Sequence, residues 1–495
     1  MAMTIHGATP KLLKNLRHLV RPLNSAPPSI AAVVSPLNIV EKTHPNATGP
    51  PPAAAAADTS VLDFDDVKGL FGPVSTAKLI SSSVILHMAA MGPVVDMGTW
   101  VMNSRVMETP VLREAVLGVV KSTIYEHFCA GSDTEEAGQT VRRLWDVGLR
   151  AMLDYGLEHA NDNVSCDRNS EEFIRTVEST QSLPPSSVSF VVAKVTAICP
   201  IDLLRRVSDL LRWEYKEHSF HLPWKLDTLP IFSDSSPFYH TPNKPDPLTP
   251  QEERDLELAH QRLVKISEKC LEHNVLLVID AEDTSLQPAI DYFTYSAAIM
   301  FNKYEHPIVF GTIQLYLKDA KERLLLAKRA ADKLGLPMGF KLVRGAYIRS
   351  ERQVAASLGV ESPVHDSIQQ THACYNECAS FMLEEVSSGR GSVVLATHNI
   401  ESGKLAAAKA RDLGIRKETQ KLQFAQLYGM SEALSFGLKN AGFEVSKYLP
   451  FGPVEQIIPY LLRRAEENKG LLSASSFDRQ LMRKELKRRL KATII

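Results

Sequence analysis

Tyr460-Leu461-Leu462-Arg463-Arg464 follows closely on a strand-like run, Glu444-Val445-Ser446-Lys447-Tyr448-Leu449. On a helix, Tyr460 lies one turn from both arginines, so an aromatic ring and two guanidinium groups share a face. Adjacent arginines repel unless an anion sits between them, and planar guanidinium forks suit a carboxylate or a phosphate. The segment reads as an anion clamp with an aromatic wall; the alternative is a solvated basic turn.

Upstream, short apolar runs end in polar residues: Tyr155, Lys194, Asp280, Gln314, Arg344, Thr397 with His398, Tyr428 and Tyr448. A buried strand that ends in a charge has a reason, because unpaired buried charge is expensive. Lys194 closes Phe190-Val191-Val192-Ala193 and suits a snorkelling or paired ammonium, a ligand contact, or a Schiff-base nucleophile. Asp280 and Glu282 are two residues apart and suit acid/base work, a cation, or neutralisation of nearby Lys and Arg. His372, Cys374 and Cys378 can be drawn as a metal site. They lie on a helical stretch without a matching second half, and no metal is expected.

The elements that must position these residues begin near residue 148. Apolar, β-branched runs alternate there with longer helical stretches, the rhythm of βαβ units around a parallel sheet. The expected strands are Arg150–Tyr155, Val188–Lys194, Val275–Asp280, Pro307–Gln314, Phe340–Arg344, Val393–Thr397, Gln423–Tyr428 and Val445–Leu449. Eight units close most simply into a (β/α)8 barrel of the TIM type, which gathers the strand ends on one rim. No G-x-G-x-x-G follows any of these strands, which argues against a dinucleotide-binding Rossmann unit.

This α/β barrel is expected over 148–470, with an inserted Pro/Ser/aromatic loop at 212–250. Thr249-Pro250-Gln251-Glu252 then starts a helix with a capping box and proline at its first position. A helical arm is expected over 63–147, with helices at Val111–Phe128 and Thr134–Trp145 and a break at Gly92-Pro93. Residues 46–62, rich in Pro and Ala, read as a linker.

The first forty residues carry Lys11, Lys14, Arg17 and Arg21 among leucines and contain no Asp or Glu. That composition points to an organelle-targeting peptide over 1–45. In the tail, 471–495, six basic residues between Arg483 and Lys491 accompany a Met482/Leu486/Leu490 stripe. This is either a membrane-surface helix or a docked terminal helix. The chain has 495 residues, 44% of them hydrophobic, and a net charge of −1. Nothing there suggests nucleic acid as a partner. Six cysteines do not make a disulfide framework.

Six motifs, in order, resemble the proline dehydrogenase (proline oxidase) family, above all its plant mitochondrial members. They are Lys194-Val195-Thr196-Ala197, Ile279-Asp280-Ala281-Glu282, Gln314-Leu315-Tyr316, Lys341-Leu342-Val343-Arg344-Gly345-Ala346-Tyr347, Ala396-Thr397-His398-Asn399 and Tyr460-x-x-Arg463-Arg464. The resemblance implies a distorted (β/α)8 flavoprotein that oxidises L-proline to Δ1-pyrroline-5-carboxylate with FAD and passes electrons to a quinone. It implies mitochondrial placement on the matrix side, with contact to the inner membrane.

Carried over, Arg463 and Arg464 grip the carboxylate, with Lys194 as a third cationic contact. Tyr448 and Tyr460 pack on the ring, Asp280 orients these groups and Tyr347 lines the pocket. Gln314, Lys341, Arg344, Thr397 and His398 fall along the flavin. Many bacterial members have Arg and then Lys where this chain has Lys341 and Arg344, and often Trp at Ile348. Which basic side chain leans on flavin N5 therefore stays open, as does the identity of the amine base: a water, or selection of the free amine. The other readings are a Schiff-base lyase using Lys194 and a catalytically silent barrel.

Overall fold

The computed structural model describes residues 61–494, apart from 103, 304–305, 416–419 and 471. The expected targeting peptide and nearly all of the linker lie outside the described residues. Eight parallel strands form a closed barrel in the order β1 to β8. They are β1 Arg150–Tyr155, β2 Val188–Ala193, β3 Leu276–Ile279, β4 Val309–Gln314, β5 Met338–Val343, β6 Gly391–Ala396, β7 Leu422–Leu427 and β8 Val445–Phe451. β8 closes on β1 with Met152 opposite Tyr448 and Asp154 opposite Pro450.

Both faces of such strands are buried, which is why the runs are almost continuously apolar. Inside the barrel, Met152, Phe190, Val192, Val278, Phe310, Val394 and Ala425 form one packed layer, with Tyr448 against it. Phe190 and Phe310 meet edge to face at 4.9 Å. Gly339 leaves room for that ring, because a Cβ there would lie 2.2 Å from Phe310.

The arm contributes α1 Val67–Phe71, α2 Thr76–Ala89, α3 Gly92–Met102, α4 Pro110–Val120 and α5 Thr134–Asp146. Ser75 caps α2 and Asp133 caps α5. The helix expected over Val111–Phe128 is not continuous. After α4 it widens into a π turn, Lys121–Tyr125, and ends in Glu126–Phe128. The changed register turns the Tyr125 hydroxyl onto the Gly452 carbonyl at 2.7 Å and His127 Nε2 onto the Gly429 carbonyl at 2.9 Å. The arm is thereby tied to the loops after β7 and β8.

The inserted segment starts later than expected, since a helix runs through Ile201–Lys216. The loop is not loosely solvated: Leu222, Leu229, Ile231 and Phe232 are buried. α6, Pro250–Glu272, opens with the expected capping box of Thr249 and Glu252.

The later helices are α7 Ile368–Ser387, α8 Glu432–Asn440, α9 Val454–Gly470 and α10 Leu472–Ile494. α10 packs on α1 and α2. Met482 is buried and Leu486 packs on the core, while Leu490 is exposed. Buried Glu485 holds Arg488 and Arg489, and Arg489 also reaches the Phe71 carbonyl. Of the two readings of the tail, the docked helix describes its apolar stripe. No single described helix is long and apolar enough to cross a membrane, but α2 and α3, bent by 80°, together meet that length and composition.

Candidate active site

The C-terminal ends of β1, β2, β3, β5 and β8 bring a row of opposite charges together. Lys194 Nζ lies 2.6 Å from Asp154 Oδ1, 3.5 Å from Asp280 Oδ2 and 3.4 Å from the Tyr448 hydroxyl. Asp280 accepts from Lys341 Nζ at 2.5 Å and from the Tyr448 hydroxyl at 2.7 Å. Lys341 Nζ also stands 5.5 Å from the centre of the Tyr448 ring.

Burial opposes the charged form of Lys194, but Asp154, Asp280 and Glu158 outweigh it and hold the ammonium above the ordinary lysine range. Burial likewise opposes Asp280, yet Lys341 and Lys194 hold its carboxyl down to about 2. Both groups are therefore ionised at neutral pH, and the phenol of Tyr448 is fixed between them.

α9 carries Tyr460, Arg463 and Arg464 over this row. Arg463 grips Glu158 with both terminal nitrogens, at 2.6 and 3.1 Å. Arg464 is almost fully buried, with its guanidinium 4.8 Å from the Tyr460 ring centre. Tyr347 stands near Glu282, Arg463, Glu158 and Asp280; burial first, and then these carboxylates, keep its phenol protonated. Lys194, Lys341 and Arg463 thus converge with Arg464 on the faces of Tyr448 and Tyr460, among Asp154, Glu158 and Asp280. An ammonium and two planar guanidinium forks beside aromatic rings suit a carboxylate guest.

A second cluster lies beyond Lys341. Gln314 donates from Nε2 to the Glu282 carbonyl at 2.8 Å, while its buried Oε1 has no hydrogen-bond partner among the described residues. Arg344 donates to His372, Thr397 and Ser402 at 3.1, 2.7 and 2.7 Å, and stacks on Tyr375. None of these is a carboxylate, so its charge is offset by no ion pair among the described residues. Gly345, at φ +117°, makes the turn after it; a Cβ there would lie 2.0 Å from Tyr316. His398 Nε2 accepts from the Leu427 N–H at 3.0 Å, which puts its proton on Nδ1. Burial, then Lys447, Arg464 and Arg344, pull His398 down to about 3, so it is neutral.

All twelve residues singled out in the sequence fall into these two clusters. Two further strand-end residues do not. Tyr155 packs against Phe451 on the outer side of β1, and Tyr428 faces the arm. Sequence reasoning missed Asp154 and Glu158. Asp154 had a signal: Met152 points into the barrel, so two residues on Asp154 does too. Glu158 sits in the following loop and had none.

A closed (β/α)8 barrel whose strand ends gather ion-paired cations beside aromatic rings defines a barrel enzyme acting on a small carboxylate. The proline dehydrogenase family matches residues 137–480, and the chain belongs to it. It is 57% identical over 474 residues to "Proline dehydrogenase 1, mitochondrial" of Arabidopsis thaliana, covering 94% of this chain and 95% of that one. It is 58% identical over 434 residues to "Proline dehydrogenase 2, mitochondrial" of the same plant, covering 87% and 91%. A "Hydroxyproline dehydrogenase" of Bos taurus is 31% identical over 445 residues, covering 87% and 93%.

Among solved structures, proline utilization A from Bdellovibrio bacteriovorus, inactivated by N-propargylglycine, superposes with a TM-score of 0.57 at 20% identity. The match covers 79% of this chain and 37% of that longer protein, a likeness of fold.

Proposed function

We propose that this barrel oxidises L-proline to Δ1-pyrroline-5-carboxylate, the first step of proline catabolism, using FAD. The observation that carries the reading is the convergence of Lys194, Arg463 and Arg464 beside the aromatic faces of Tyr448 and Tyr460. Arg463, Arg464 and Lys194 bind the substrate carboxylate, and Tyr448 and Tyr460 pack on the pyrrolidine ring. Tyr347 lines the pocket. Asp280 orients Lys194, Lys341 and Tyr448, and Asp154 holds Lys194 from the other side. The aromatic walls exclude water and fix which ring carbon faces the cofactor.

The proline dehydrogenase family is FAD-dependent, and the second cluster suits that group. Gln314 presents a buried acceptor without a donor, and Arg344 a cation without a carboxylate. We assign Gln314, Lys341, Arg344, Thr397 and His398 to flavin binding. Held there, a flavin would supply the hydride acceptor for the carbon next to the ring nitrogen. Lys194 is held as an ammonium ion and Lys341 is engaged with Asp280, so neither is assigned as base; water or the already neutral amine supplies that step. The same observation disfavours the Schiff-base reading, which needs a neutral lysine.

We further propose a quinone as electron acceptor and placement on the matrix side of the mitochondrial inner membrane. The arm, not α10, is the better candidate for membrane contact. Ile80, Val84 and Met88 of α2 and Met97 and Trp100 of α3 are exposed.

Purified holoprotein should show a flavin spectrum that bleaches anaerobically with L-proline. A colourless protein with a lysine trapped by borohydride would favour a lyase. No spectral or catalytic response would favour a silent barrel.

A further inference from the structure

A cavity of about 960 Å³ lies between the arm and the barrel, lined by α2, the π turn, α5, the loop after β7, and Met482 of α10. It belongs to neither cluster of the active site. Its inner wall holds Lys78, half-buried, with Nζ 5.5 Å from the centre of the Tyr428 ring. The Lys78 ammonium has no hydrogen bond or ion pair among the described residues. Burial pulls it below the ordinary lysine range, although Glu432 and Glu126 work the other way. Arg143 lines the cavity too, and among the described residues its guanidinium donates to Thr140 alone, at 2.7 Å. Leu79, Phe436 and Met482 supply apolar wall.

The cavity touches the barrel where the active site ends. Tyr428 donates its N–H to the carbonyl of Tyr448 at 3.0 Å. The residue before it, Leu427, donates to His398. The wall of the cavity is thus one peptide from the donor to His398, a residue assigned to the flavin, and one strand from the ring assigned to proline. α2 has two working faces: Lys78, Leu79 and Ser82 line the cavity, while Ile80, Val84 and Met88 project outward at helical spacing.

We propose that this cavity seats the head group of the quinone that reoxidises the enzyme, an assignment that rests on the quinone-linked reading above. The volume falls in the range of pockets that enclose a small organic ligand. The Tyr428 ring offers a plane to stack on, and Lys78 a donor for a carbonyl oxygen. A charged substrate would need no apolar outer face on the same helix, whereas a lipid-dissolved one does. In the step, two electrons leave the reduced cofactor for the quinone, and its two carbonyl oxygens become hydroxyls. One proton comes from the Lys78 ammonium, which solvent recharges. The other is the one the reduced cofactor releases.

The test separates the two half-reactions of the holoenzyme. Flavin is first bleached anaerobically with L-proline, then mixed with ubiquinone-1 in a stopped-flow instrument. Lys78→Met should leave the bleaching rate unchanged and raise the half-saturating ubiquinone-1 concentration at least tenfold. Lys78→Arg, which keeps the donor, should stay within about threefold of wild type. Ubiquinone-1, but not inorganic phosphate, should protect Lys78 from acylation by an N-hydroxysuccinimide ester, read by mass spectrometry. Equal half-saturation in Lys78→Met and wild type, or protection by phosphate alone, overturns the assignment. A wild-type enzyme that proline does not bleach overturns the proline reading instead. One that bleaches but is not reoxidised by ubiquinone-1 overturns the quinone reading and the cavity assignment with it.

Discussion

Asp154 and Lys194 come from neighbouring strands and meet at 2.6 Å, both almost fully buried. Removing one member of such a pair strands the other's charge in a poorly solvated site. Asp154 touches none of the residues assigned to flavin. Asp154→Asn should therefore leave flavin content intact and lower kcat/KM for proline about ten- to a hundredfold, mostly through KM. Asp154→Glu should recover part of the loss. Unaltered proline kinetics in Asp154→Asn, at full flavin occupancy, would show that Asp280 alone suffices to hold Lys194.

Arg463 is already gripped by Glu158, so a carboxylate guest must share or displace that contact. Arg463→Met and Arg464→Met should each weaken substrate binding by roughly 1.5–3 kcal/mol, with flavin retained. Steady-state kinetics and the flavin spectrum of each variant check this. Wild-type KM and kcat in both would remove α9 from the carboxylate site.

His127 makes the arm pH-sensitive. Burial, then Lys78, pull its imidazole down to about 3, and Nδ1 has no hydrogen-bond partner among the described residues. A folded-state value below the unfolded one favours the neutral form. The stabilisation is complete above about 6.5 and is lost as pH falls towards 3. Between pH 7 and pH 5 that loss is about 2 kcal/mol. His127→Gln keeps a donor for the Gly429 carbonyl without a titrating ring. The drop in urea-unfolding stability from pH 7 to pH 5 should shrink by that amount in the variant, and an identical drop would refute the assignment.

Tyr448 bears on substrate choice. Its ring lies in the site with its hydroxyl committed to Asp280. A phenol face packed on the pyrrolidine leaves little space for a 4-hydroxyl group and favours an apolar ring. Apolar pockets reject an added hydroxyl only about a hundredfold unless sterics help. Wild type should thus prefer proline without excluding trans-4-hydroxy-L-proline. Tyr448→Ser should lower proline efficiency and narrow the gap. Specificity constants for both substrates in both proteins decide it; a fixed ratio would take Tyr448 out of ring contact.

The eight strands were legible because a strand buried on both faces leaves an uninterrupted apolar run between helical stretches. The polar residue closing each run marks the rim well at Lys194, Asp280 and Gln314. It misleads at Tyr155 and Tyr428, where the last residue turns outward and the inward position is one earlier, as Asp154 shows. What side chains do with each other was not legible. The capture of Arg463 by Glu158 joins positions 305 residues apart in the chain. The π turn after α4 is likewise invisible in an apolar pattern that reads as one helix, because the contact its Tyr125 makes, with the Gly452 carbonyl, lies 327 residues away. The Met482/Leu486 stripe fits membrane and protein equally, and only the presence of α1 and α2 beneath it decides.

The pairing of β8 with β1 has a consequence for how the molecule comes into being. A ribosome or a translocation pore delivers β1 first and β8 last, and until then β1 and β7 both present raw edges. Lys194 waits 254 residues for Tyr448, and the arginines of α9 arrive later still. Ring closure, flavin capture and completion of the substrate site thus fall together at the end of synthesis or import, after a slow long-range search. Partly delivered chains should lean on chaperones and hold no cofactor, so that an incomplete molecule cannot run redox chemistry in the wrong place.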